Sequence, residues 1–211
     1  MSARPAAGGG RWVDVAPERL ARWLENFAGR HGPWTAEGLL LTAEDGATAE
    51  LSPPPGVPGT GDLDELRREA GRPRRIGLLL ARKGAVAVGV ADGTKLAVSK
   101  VDTHYVQGRT AAGGWSQQRF ARRRDNQAKA AAADGAGIAA RLLLPEVRTL
   151  AALVTGGDHT AVDTILAAVP LQPLAALRSA RFLEVPEPRK TVLEEAIAQA
   201  RAIRILVKDP T

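Results

Sequence analysis

Three apolar runs, Arg75–Ala81, Ala85–Ala91 and Leu96–Val106, follow one another with only Lys83-Gly84 and Asp92-Gly93 marking the connections. Connections this short leave no room for a crossover, so the runs are predicted to form an antiparallel meander. A long segment rich in alanine and arginine, both strong helix formers, comes next. The rhythm then changes: Leu150–Thr155 reads as a strand, Asp158–Ala168 as a helix, Phe182–Val185 as a strand, Arg189–Ala202 as a helix and Ile203–Val207 as a short last strand. Strands alternating with helices imply a parallel or mixed sheet with helices against its faces. The expected class is α/β (α+β), a mixed β-sheet flanked by helices.

Upstream of the meander the pattern is smaller in scale. Residues 1–10 are glycine-rich and read as a disordered tail. Arg11–Val15 alternates like a short strand, and Pro17 sits where a first helical residue belongs. Leu20, Trp23, Leu24, Phe27 and Ala28 recur at helical spacing, which predicts an amphipathic helix over 17–30 whose aromatic stripe is core. Two strands, Leu39–Thr42 and Thr48–Leu51, flank an Asp45-Gly46 turn. The proline- and glycine-rich stretch Ser52–Gly61 holds neither helix nor central strand and reads as a linker or surface excursion; a short helix capped by Asp62 follows. The expected division is a tail over 1–10, a helix-and-hairpin unit with its linker over 11–71, and a main domain over 72–211.

With 211 residues and 45% hydrophobic content, the chain can bury an ample core. It has no cysteine, which excludes disulfides and thiolate metal sites and suits a cytoplasmic location. The first ten residues lack the apolar core of a signal peptide, and no apolar run approaches the ~20 residues of a membrane span, so no membrane partner is expected. Charge is unevenly spread. Residues 72–148 carry 15 Lys and Arg against 5 Asp and Glu, whereas the rest of the chain carries 14 against 18. A basic middle in a mildly acidic chain points to a localised surface for a polyanion.

Flexibility, amide side chains and positive charge concentrate between Gly108 and Arg124. Gly113 and Gly114 free the backbone for close approach, and Ser116 is a good cap for the helix that follows. Gln117 and Gln118 then occupy the first turn, where free N–H groups and the helix dipole favour anions. A glutamine is no general base at neutral pH, but it can orient a water and hydrogen-bond a developing charge. A plain surface loop with a helix cap accounts for the same residue types. Downstream, Gln118, Arg119, Arg122, Asn126 and Lys129 share one helix face, with Arg123 beside it and Arg124 further round. So dense a set of arginines repels itself unless phosphates neutralise it. Lys100 and Arg109 extend the charge, and Trp115 is placed to stack on a base or to pack over the loop. Gly135 and Gly137 are positioned to end or kink this helix, unless Ile138–Leu144 continues it as far as Pro145.

Other chemistries find less support. His31, His104 and His159 are scattered and lack metal-ligand spacing, so no metal or cofactor is expected. Gly156-Gly157-Asp158-His159 lacks the Lys-Ser/Thr of a phosphate-binding loop, and Asp158 reads as a helix cap. His104, on the strand leading to the loop, reads as structural, with orienting the loop as the alternative. Asp102 beside it is open in the same way, and Glu194-Glu195 read as solvent-facing.

The stretch His104-Tyr105-Val106-Gln107-Gly108-Arg109-Thr110, with Gly113-Gly114-Trp115-Ser116-Gln117-Gln118-Arg119 after it, resembles the catalytic loop of the actinobacterial Vms-like release factors. That family is related to the catalytic middle domain of eukaryotic translation release factors. The resemblance extends to Trp12–Gly32, the three-strand run and Gly156–His159. It implies a release-factor catalytic-domain-like fold and hydrolysis of peptidyl-tRNA on stalled large ribosomal subunits, with ribosomal RNA as a further partner. The family's Gly-x-x-Gln pattern falls on Gly114-Trp115-Ser116-Gln117, which makes Gln117 the first choice for positioning water, with Gln118 still a candidate. Ordinary release factors have Gly-Gly-Gln contiguous, whereas here Trp115 and Ser116 intervene. An ester to a ribose is already activated, so delivering a loop and excluding misplaced waters can suffice. Cleavage of the tRNA 3′ end, or RNA binding without catalysis, are the alternatives.

Overall fold

A computed structural model describes residues 3–58, 61–82, 84–103 and 116–210, with 116–126 described as backbone only. The chain divides into two compact units, residues 1–73 with 198–211, and residues 74–197.

The first unit is a six-stranded antiparallel sheet with two helices. Its strands are β1 (Ala3–Pro5), β2 (Arg11–Val15), β3 (Trp34–Glu37), β4 (Leu40–Ala43), β5 (Thr48–Ser52) and β11 (Ile203–Lys208), in the order β1-β2-β11-β5-β4-β3. The helices are α1 (Leu20–His31), entered through a 3-10 turn at Pro17–Arg19, and α2 (Leu63–Ala70). Leu20, Leu24 and Phe27 of α1 join Val13, Val15, Leu41 and Leu51 of the sheet in one core. Asp45 closes the β4–β5 turn by accepting a hydrogen bond from the Ala47 N–H at 2.9 Å. Asp62 caps α2 by accepting from the Glu65 N–H at 2.8 Å.

Two features differ from the sequence expectation, and a third is one of the two alternatives it left open. The last strand belongs to this unit rather than to the main domain: β11 lies between β2 and β5, with Ile203, Ile205 and Val207 buried in their core. Residues 3–5 are a strand paired with β2 rather than a disordered tail. The proline-rich stretch is a surface excursion packed onto its own unit, with Pro54 and Pro55 buried.

The second unit holds a mixed sheet in the order β10-β9-β6-β7-β8, comprising β6 (Arg75–Arg82), β7 (Ala85–Asp92), β8 (Lys95–Thr103), β9 (Leu150–Gly157) and β10 (Arg178–Leu183). The meander β6-β7-β8 is antiparallel, and β9 lies parallel to both β6 and β10. The expected end of the third strand, at Val106, lies outside the described residues. Helices α3 (Ser116–Leu143) and α4 (His159–Leu166) share a core with the sheet face that carries Leu79, Ala81, Val86, Val88 and Val90. A short α5 (Gln172–Ala175) precedes β10, and α6 (Lys190–Arg201) follows it.

Two glycines set the packing. Gly157 has φ 101°, and a Cβ there would lie 2.3 Å from the Ala81 carbonyl oxygen, so only glycine fits between β9 and α4. Gly135 does not break α3. A Cβ at that position would sit 2.9 Å from Ile165 Cδ1 and 3.2 Å from Val86 Cγ2, so its absence lets the helix approach sheet and α4 closely. The helix runs on through Ile138, Ala139 and Leu143, all buried, and ends in a turn containing Pro145. No described helix is long and apolar enough to cross a membrane.

Candidate functional site

The candidate site lies where β8 leads toward α3. Arg109, Gly113, Gly114 and Trp115, with His104, lie outside the described residues. Gln117, Gln118, Arg119, Arg122, Arg123 and Arg124 are described as helix backbone. Ser116 is the first described residue of α3, and its expected role as cap lies outside what is described. Four N–H groups at a helix start lack intrahelical partners, and both glutamines stand among them.

Helix periodicity separates these positions. Gly135 marks the azimuth of closest approach to the sheet. At about 100° per residue, position 117 lies about five turns earlier, on the same azimuth, and position 124 within about 20° of it. Positions 119, 122 and 126 lie about 140–180° away, 123 and 129 about 120° away, and 118 about 100° away. Backbone positions 119, 122 and 123 therefore lie on azimuths away from that approach, and Lys129, the one described side chain of the basic stripe, is exposed. Gln118 borders the stripe, whereas Gln117 does not.

Lys100 is exposed on β8 opposite Val88, whose side chain enters the core shared with α3. Cross-strand partners point to the same side of a sheet, so Lys100 adds its charge to the α3 face. Asp102 accepts a hydrogen bond from the Thr103 N–H at 3.0 Å at the end of that strand. The division into units sharpens the charge pattern: the second unit holds 18 Lys and Arg against 11 Asp and Glu, and the first 11 against 12.

The remaining candidates have structural roles. His159 stacks on Phe182 with ring centroids 3.6 Å apart, and Asp158 accepts a hydrogen bond from the Ala161 N–H at 2.9 Å as the cap of α4. His31 Nδ1 lies 2.9 Å from Asp45 Oδ2. The Ala47 N–H and His31 together hold the Asp45 carboxyl below the usual carboxylate range. Glu18 is held low in the same way, chiefly by its hydrogen bond from Arg201. Glu194 and Glu195 are exposed. Among the described residues, no group of three or more side chains is arranged to hold a metal ion. One feature had no signature in the sequence: a groove of about 560 Å³ beside the basic helix, lined by Ala128, Ala131, Ala161 and Ile165 with Arg82 and Lys129.

Residues 74–206 match the family model described as the Actinobacteria/chloroflexi VLRF1 release factor. The chain belongs to this family. The match takes in the whole second unit and ends within β11, while residues before 74 fall outside it. Among solved structures, an archaeal translation termination factor, aRF1, is similar at 17% identity with a TM-score of 0.44, over 88% of this chain and 53% of that one. A second archaeal protein is similar at 15% identity with a TM-score of 0.42, over 76% and 51%. The chain thus spans about half the length of either structure. No curated protein matches it.

Proposed function

We propose that this VLRF1-family protein is a peptidyl-tRNA hydrolase that works in the cytoplasm and releases nascent chains from stalled large ribosomal subunits. The observation that carries the reading is the Gln117-Gln118 pair in the first turn of α3, in a chain of a release-factor family. The glutamine positions a water against the ester between peptide and tRNA ribose. Gly113 and Gly114 let the loop backbone approach the RNA active site. The stripe of Arg119, Arg122, Arg123 and Lys129, with Lys100 and Arg109 around it, neutralises phosphates of tRNA and ribosomal RNA, and Trp115 stacks on a base. Gln117 is the first choice for the water, from the family pattern, and Gln118 is the second.

One assay tests this. Labelled peptidyl-tRNA bound to large subunits is incubated with the protein, and peptide and tRNA are sized separately. Free peptide with intact tRNA is the expected result. A shortened tRNA would replace the hydrolase with a nuclease, and absence of turnover would leave an RNA-binding adaptor. Gln117→Ala should lower the release rate by about 10²–10³-fold, the usual cost of removing a preorganised polar group. Full activity in both Gln117→Ala and Gln118→Ala would refute the mechanism.

A further inference from the structure

The first unit carries a pocket that the loop chemistry does not use. It lies between α1 and the strands β2 and β11 and encloses about 180 Å³. Sites for drug-sized ligands run to about 300–1,000 Å³, so this one has room for a single ring system. One wall is an aromatic ladder at i, i+4 spacing on α1. Trp23 and Phe27 stack with centroids 5.4 Å apart and planes 13° apart, and Phe27 meets His31 at 4.9 Å. Phe27 is buried in the core, but Trp23 is only half-buried and borders the pocket.

The rest of the lining is polar and positive. Asn26 and Arg30, three and seven residues after Trp23, are both exposed and line the same pocket. Arg11 reaches it from β2, where its guanidinium is paired with Asp209. Arg30 has no carboxylate partner among the described residues. A half-open indole, a side-chain amide with both donor and acceptor, and an unpaired guanidinium are complementary to one kind of ligand. The ring stacks on the base, the amide reads a base edge, and the guanidinium takes a phosphate. The geometry points to a nucleotide-binding site formed by Trp23, Asn26, Arg30 and Arg11, for a base with an adjacent phosphate, either free or as an unpaired residue of RNA. This site does not depend on hydrolysis by the second unit.

The test uses the full chain labelled with ¹⁵N, titrated separately with adenosine 5′-monophosphate, the RNA hexamer rA6 and ribose 5-phosphate. The Trp23 indole resonance, assigned from Trp23→Phe, and the Asn26 side-chain amide are followed. Both should shift on adding the mononucleotide or the hexamer and stay in place with ribose 5-phosphate. Comparable affinity for the two adenine ligands identifies a free nucleotide, whereas a hexamer bound about ten-fold tighter or more identifies RNA. Trp23 packs on the core, so affinity is measured in variants at exposed positions. Arg30→Glu should weaken binding at this site at least about ten-fold, the loss of one charge-assisted hydrogen bond. Asn26→Ala should weaken it by a smaller factor. Arg122→Glu/Arg123→Glu should leave the Trp23 response to the mononucleotide unchanged, which separates this site from α3. The proposal is overturned if neither adenine ligand shifts Trp23 and Asn26, if ribose 5-phosphate shifts them equally, or if Arg30→Glu binds as wild type does.

Discussion

Thr155 presents a test of how the second unit is held together. It lies on β9, the strand flanked by β6 and β10, opposite Leu79 on one side and Phe182 on the other. Its side chain is fully buried, and its Oγ1 has no hydrogen-bond partner among the described residues. A hydroxyl buried without a partner costs about 1–3 kcal/mol by mutational data. Thr155→Val keeps the branched shape and β propensity and replaces that hydroxyl by a methyl group. The expected outcome is stabilisation by about 1–2 kcal/mol, against the usual rule that core substitutions destabilise. Urea unfolding followed by circular dichroism reads this directly. With a slope of about 2 kcal/mol/M, the midpoint should rise by about 0.5–1 M at unchanged slope. Thr155→Ser makes the opposite change, keeping the unpaired hydroxyl and removing a methyl, and should lose about 1 kcal/mol. If Thr155→Val instead lowers the midpoint, the hydroxyl has a partner that the packing around Leu79 and Phe182 does not reveal, and the reasoning fails.

Other perturbations follow from the same geometry. Gly157→Ala places a Cβ 2.3 Å from the Ala81 carbonyl oxygen at a φ of 101°, and that oxygen also accepts from the Asp158 N–H. A loss of about 3 kcal/mol or more is expected in thermal or urea unfolding, and a loss below about 1 kcal/mol would show that the turn can relax. Arg122→Glu/Arg123→Glu should weaken binding to large subunits and flatten the dependence of log affinity on log salt, by about one unit for each phosphate that is no longer neutralised. An unchanged slope would remove α3 from the RNA interface. Asp45, whose carboxyl is held low by the Ala47 N–H and His31, stabilises the fold above its unfolded value near pH 4, and that stability is lost as pH falls through the depressed folded value. Asp45→Asn should flatten the acid limb of stability below about pH 4. A stability difference between variant and parent that stays constant from pH 7 to pH 2 would exclude the contribution.

Much of this fold is written locally, and the exceptions have physical reasons. The meander was legible because Gly84 and Gly93, both at positive φ, mark tight connections between apolar runs. Helix α1 was legible from Leu20, Leu24 and Phe27, whose spacing survives as a buried face. Strand β3 was not, because it is an edge strand whose Thr35, Ala36 and Glu37 are all exposed, so no alternation betrays it. The alternation of Ile203, Ile205 and Val207 announces a strand but not its partners, which lie about 190 residues away on β2 and about 150 away on β5. Gly135 and Gly137 read as breakers because propensity prices a helical glycine at about 1 kcal/mol. The contact of α3 with Ile165 and Val86 that Gly135 permits is tertiary and invisible in sequence. Trp23 shows the same limit in reverse, since a single stripe on α1 contains both a core ring and one that borders a pocket.

The two glutamines are where sequence and helix pull furthest apart. As neighbours in the chain they look interchangeable, but on α3 they are about 100° apart. Gln118 borders the side that carries Arg119, Arg122 and Lys129, and Gln117 falls on the azimuth where Gly135 meets the sheet. A helix that lays its basic stripe on RNA therefore favours Gln118 for contact with the same surface, whereas the family pattern favours Gln117. Both statements hold together only if position 117 leaves the helix when the site is assembled, so that α3 starts later on the ribosome. That consequence is measurable. Amide hydrogen exchange of Phe120 and Ala121, whose N–H groups bond the carbonyls of residues 116 and 117 while the first turn is helical, should speed up, relative to Ala131 in the buried half, when the protein binds large subunits carrying peptidyl-tRNA. If their protection instead rises in step with Arg122 and Arg123, the first turn stays helical, and the geometry then assigns the water to Gln118.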